Sequence, residues 1–187
     1  MLKTRFCLSA IVIIPIFANA NNMVMEAIKD FKTIDTIVFS NYILKHYGPM
    51  SHLKLQKLVY YCDAYSLAYF GKQLITDEFE AWVHGPVCRR LYDSLKDKSK
   101  LYSDVVYTSD GIDVDKEFNS LTSDQQSLIS NVLSQLSTWS SFELEASTHQ
   151  EDPWKNARKG YSEADKCNVV ISKEDMREYY SKEMANA

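Results

Sequence analysis

Cys88, His84 and His149 are the side chains with which this chain could make or break a covalent bond. A cysteine in the first turn of a helix has its thiolate stabilised by the helix dipole, and either histidine could act as its base. The rest of a catalytic apparatus is missing from the pattern. There is no G-x-S-x-G elbow, no phosphate-cradling glycine loop and no paired-carboxylate constellation. A structural cysteine is the better reading, and a secreted Cys/His hydrolase stands third among the functional readings. The four histidines, together with Cys62, Cys88 and Cys167, invite a metal site. Their spacing opposes one: His84 and Cys88 lie across a turn and His149 with Asp152 lies far along the chain, which matches neither H-E-x-x-H nor C-x-x-C. No enzyme, catalytic residue, metal ligand or cofactor is expected.

Recognition chemistry is better represented. Trp82, Tyr92 and Trp154 are large aromatics with polar neighbours, the type that anchors an interface in a desolvated pocket, although a tryptophan serves equally well to hold a core together. Gln56 and Lys57 stand between leucines, where they either meet a partner or solvate the outer face of a helix. His84 or His149 could pin its loop by bonding to nearby backbone.

Those residues need elements to carry them. Leu55, Leu58, Cys62, Tyr65 and Tyr69 recur three and four apart and predict a helix that ends at Gly71. Ile34, Ile37, Val38, Tyr42 and Ile43 predict an earlier helix stopped by Gly48-Pro49, with Ser51 capping the next. Phe79 to His84 alternates as a half-exposed strand does, and Pro86 suits the first position of a following helix through Val87, Leu91 and Leu95. Val105-Val106-Tyr107-Thr108 is β-branched, ends at a turn and is expected to pair with that earlier strand. Thr122 with Gln125 and Ser140 with Glu143 have capping-box form. They open an amphipathic helix through Leu136 and a short helix to about Ser147, which would deliver Thr148-His149 to an exposed loop. Asp152 is expected to be held extended by Pro153. Val169 to Ile171 is expected as a strand or extended lead-in to a terminal helix capped by Ser172 and running to about Lys182. The sum is a mainly α (α+β) chain: a compact helical domain with a small β-hairpin or short antiparallel sheet.

The 187 residues are 45% hydrophobic and 25% charged, with no repeat and few glycines and prolines, which excludes disorder and low complexity. The net charge is −4, and without residues 1–22, which hold Lys3, Arg5 and no acid, it falls by two to −6. An acidic body with one adjacent arginine pair, Arg89-Arg90, is a poor nucleic-acid binder. Lys3 and Arg5 before the apolar run Phe6 to Phe17, then Ala18-Asn19-Ala20, have the form of a secretory signal; the run is too short to favour a permanent membrane span. A start assigned upstream of Met23 or Met25 would produce the same arrangement. Residues 1–22 are thus a leader or a mis-assigned start, and residues 23–187 are expected to form a single domain.

Three stretches in order carry a resemblance: Leu53-Lys54-Leu55-Gln56-Lys57-Leu58-Val59-Tyr60-Tyr61, then Glu80-Ala81-Trp82-Val83-His84-Gly85-Pro86-Val87, then Thr148-His149-Gln150-Glu151-Asp152-Pro153-Trp154. Together they resemble the signature of the SocA-like Panacea antitoxin domain family, also labelled phage-associated protein or GepA-like, over roughly residues 26 to 182. The resemblance implies a cytoplasmic antitoxin that neutralises a cognate protein toxin by direct binding. The alternatives are a proteolytic adaptor or phage-associated regulatory module presenting a client to a protease or its unfoldase, and export if the leader acts as a signal. It singles out Gln56, Lys57, Trp82, Gly85, Pro86, Tyr92, His149, Pro153 and Trp154 as partner-binding or family-motif residues.

Overall fold

The computed structural model describes residues 29–97, 99–109 and 111–186; the leader and the two candidate starts lie outside them. Helix α1 (Thr36–Tyr47) begins where the Asp35 carboxylate accepts the Ile37 and Val38 N–H groups, and it ends at Gly48. Strand β1 (Met50–Ser51) leads directly into α2 (His52–Phe70), capped by the Ser51 hydroxyl and closed by Gly71, whose left-handed conformation lets its N–H bond to the Leu67 carbonyl. Next come β2 (Phe79–Trp82), β3 (Gly85–Cys88), α3 (Arg89–Leu95), β4 (Asp104–Val105) and α4 (Val114–Asn119). The chain continues through α5 (Ser123–Leu136), α6 (Ser141–Thr148), α7 (Asp152–Ala157) and α8 (Lys173–Ala185). The fold is mainly helical with two small antiparallel sheets, β1 with β4 and β2 with β3.

Helix α2 is the centre. It is buried nearly all round, because α1, α5, α6, α8 and the β2–β3 hairpin all pack on it, so its polar residues are inside as well. Tyr60, Tyr61 and Tyr65 surround Tyr180 of α8 at ring separations of 6.1, 6.0 and 5.1 Å. A fully buried carboxylate needs partners. Asp63 has them in the Leu74 and Ile75 N–H groups, at 2.7 and 3.2 Å, and in Lys173 at 3.1 Å, which ties the start of α8 to α2. Both capping boxes form, at Thr122 with Gln125 and at Ser140 with Glu143.

Four local expectations are corrected. Pro86 does not open a helix: it lies in β3, opposite Ala81, and α3 starts only at Arg89. Proline is tolerated in a two-stranded edge because its missing N–H interrupts no central ladder. The segment after Asp104 pairs with β1 rather than β2, since Ile171 and Val169 already bond to the backbone of Phe79 and Ala81 and occupy that edge. Thr148 is fully buried instead of lying on an exposed loop. Asp152 is helical, and Glu151 is the extended residue that precedes the helix.

Candidate functional site

The three sequence stretches converge on the β2–β3 hairpin. Two consecutive residues of α2 hold alternate residues of β3, as the third strand of a sheet would. The Gln56 side-chain oxygen accepts the Cys88 N–H at 2.9 Å and its amide nitrogen reaches the Cys88 carbonyl at 3.3 Å. Lys57 donates to the Pro86 carbonyl at 2.9 Å. Both are buried, so the reading of a solvated outer face is corrected: these side chains replace backbone partners that β3 lacks on that side. Burial pushes the Lys57 amine down to about 7, against the pull of Glu145 and Glu151.

Gly85 lies directly over this brace with φ +91°, and a Cβ there would sit 2.7 Å from both Lys57 Cε and Thr148 Oγ1. The third stretch closes the other side. Trp154 Nε1 donates to the Trp82 carbonyl at 2.9 Å, and His149 stacks on Trp154 at 4.2 Å. Pro153 is buried in the first turn of α7. Arg158, one helical turn beyond Trp154 and missed in the sequence, donates to the Ala81 carbonyl at 2.8 Å. Glu151 is also internal, accepting from the Tyr61, Tyr180 and Ser147 hydroxyls, and burial raises its carboxyl to about 7.

Most of the motif residues therefore build an internal brace, while Trp82 and Tyr92 remain half-buried at its outer edge. Their rings meet edge-on at 4.7 Å, and Arg89, paired with Glu80, lies over Trp82 at 5.1 Å. They wall an open cleft of about 960 Å³ floored by His52, Leu53 and Gln56. Burial holds the His52 imidazole down at about 4, so the floor is uncharged at neutral pH. Beside the cleft His84 approaches Tyr102, which stacks on Phe142 at 5.6 Å. Tyr102 and Phe142 are 51% and 68% exposed. Neither was singled out in the sequence. Phe142 could have been, since it lies off the buried Leu144–Thr148 face of its helix, whereas nothing local marks Tyr102.

Cys88 is fully buried with its thiol pushed up by burial, which is unfavourable for a nucleophile. Among the described residues no group of three or more His, Cys, Asp or Glu side chains could hold a metal ion, and no helix is long and apolar enough to cross a membrane. The family profile described as "Antitoxin SocA-like, Panacea domain" matches residues 55–155, which holds the first two stretches from Leu55 onward and all of the third. The chain belongs to that family. It is not known as a family of enzymes, and its antitoxin character implies a toxin as the kind of partner. No curated protein and no solved structure matches the chain. Within the family match, Lys57, Gly85, Thr148 and Trp154 are the residues whose mutual packing fixes the hairpin, and with it the outward faces of Trp82 and Tyr92.

Proposed function

We propose that this chain is the antitoxin half of a toxin–antitoxin pair and neutralises its partner by direct binding, covering or distorting the toxin's working surface without making or breaking a bond. The observation that carries this reading is the use of the family's own residues. They form an internal scaffold beneath a surface of half-buried and exposed aromatics, while the one cysteine with catalytic potential is sealed inside. Binding by occlusion needs shape and anchoring aromatics rather than titratable nucleophiles. The expected compartment is the cytoplasm.

The test is growth rescue on co-expression with the toxic product of the neighbouring gene, alongside a binding isotherm. Rescue with a direct complex is expected, and Cys88→Ser should retain both. Lack of rescue by folded, abundant chain would overturn the antitoxin reading. Loss of rescue in Cys88→Ser, with stability and binding unchanged, would replace occlusion by catalysis.

A further inference from the structure

We propose that the cleft walled by Trp82 and Tyr92 receives an acidic peptide segment of the partner protein, with an apolar side chain of that segment resting on the Tyr102–Phe142 pair. The proposal rests on the antitoxin reading only for whose segment it is.

The charge distribution points to this ligand. The chain is net acidic, at −4, yet the cleft is lined by Arg89, Lys96, Lys100 and Lys166 and by no Asp or Glu among the described residues. Arg89 and Lys96 are already paired, to Glu80 and Asp93. Lys100 and Lys166 are exposed, come from separate segments, and have no ion pair among the described residues. Two uncompensated cations facing one concavity in an acidic protein favour an anionic occupant, and they steer its approach.

The aromatic surface says what else that occupant carries. Trp82 is fixed from three sides, by its indole N–H to Glu80 at 2.7 Å, by the Tyr92 ring and by the Arg89 guanidinium, so little ordering is needed on binding. Tyr102 and Phe142 lie beside the cleft beyond His84, whose Nδ1 is paired with the Glu145 carboxylate at 2.7 Å, and their exposed rings form an apolar shelf there. A single-stranded nucleic acid would require a continued cationic track for its phosphates. Two uncompensated lysines confined to one cleft, beside an apolar shelf on an acidic body, suit a short acidic segment with a hydrophobic anchor instead.

The experiment uses the full chain and a fluorescein-labelled peptide of alternating Glu and Phe, a matched peptide with Gln for Glu, and a labelled oligothymidylate. Saturable binding of the Glu peptide is expected, weaker for the Gln peptide and weakened about tenfold or more by the double charge reversal Lys100→Glu/Lys166→Glu. Phe142→Ser should weaken it as well. Both lysines and Phe142 are exposed, so circular dichroism should show these variants folded. No binding of the Glu peptide, or binding that ignores the reversals, overturns the proposal, as does oligothymidylate as the better and reversal-sensitive ligand. Growth rescue separates the two readings. Failure of rescue by the unaltered chain sinks the antitoxin role and leaves the peptide result standing. Full rescue by the charge-reversed variant keeps the antitoxin role and removes the cleft from the toxin interface.

Discussion

Replacing Gly85 by alanine tests whether the hairpin is seated on α2 as tightly as the brace requires. Two costs arise. An alanine at φ +91° is strained by roughly 1–3 kcal/mol. Its Cβ would also lie 2.7 Å from Lys57 Cε and Thr148 Oγ1 and 2.9 Å from Lys57 Nζ, far inside contact distance. Neither neighbour is free to retreat, since Lys57 and Thr148 are fully buried and bond to the carbonyls of Pro86 and Glu145. Overpacking of that kind costs about a further 1–3 kcal/mol. Gly160 supplies the control: it has the same φ of +91°, with nothing within 4 Å of the point that an alanine methyl would occupy. Gly160→Ala should show the backbone strain alone, and Gly85→Ala should exceed it by about 1–3 kcal/mol in urea unfolding. At about 2–4 °C per kcal/mol for a chain of this size, the two melting temperatures should differ by roughly 2–12 °C. Equal losses in the two variants would refute the close seating of Gly85 on Lys57 and Thr148, and with it the account of why the three stretches occur together.

Gln56→Leu should cost about 2–5 kcal/mol in chemical denaturation, because it leaves the buried Cys88 N–H and carbonyl without their side-chain partners; a near-neutral result would mean the amide is not bracing β3. The unfolding free energy should also depend on pH through Glu151. Its carboxyl is raised in the folded chain from 4.5 to about 7, so its contribution is full below 4.5 and is lost as pH rises to about 7, a fall of about 3 kcal/mol over that window. Burial of His52 adds an opposite rise over nearly the same window in both chains, so the difference is what reports on Glu151: the gap in unfolding free energy between the parent and Glu151→Gln should change by about 3 kcal/mol between pH 4.5 and 7, and a constant gap would mean the carboxylate is not desolvated in the fold.

The elements themselves were largely legible, because apolar periodicity and caps are local. Ser51, Gly71, Thr122, Ser140 and Ser172 act as the sequence predicts. The errors arose where a distant partner decides the outcome. Nothing near Pro86 reveals that Gln56 and Lys57 will supply bonds to a strand, so a proline at a plausible helix start looks like a helix start. Lys57 illustrates the same limit from the other side. A lysine is almost never fully buried, and only the conjunction of a carbonyl acceptor, a glycine without a side chain above it and two carboxylates nearby makes its burial tolerable. The family stretches share a property that their spacing could not supply: they are far apart in sequence and adjacent in space. The outer shelf was half legible for the converse reason: Tyr102 is ordinary in its own segment, and Phe142 is marked only by lying off the buried face of its helix.

The packing of α8 against α2 also bears on how the chain is made and destroyed. The ribosome delivers that helix after every other element described above, so Tyr60, Tyr61, Tyr65 and the Glu151 carboxyl lack their cover until Tyr180 has emerged. A chain cut anywhere between Trp154 and Lys173 would keep every family-motif residue and still present an unsealed tyrosine face to proteases. Incomplete translation products should therefore be cleared rather than accumulate as partly active copies, and the supply of working protein would follow completed synthesis alone.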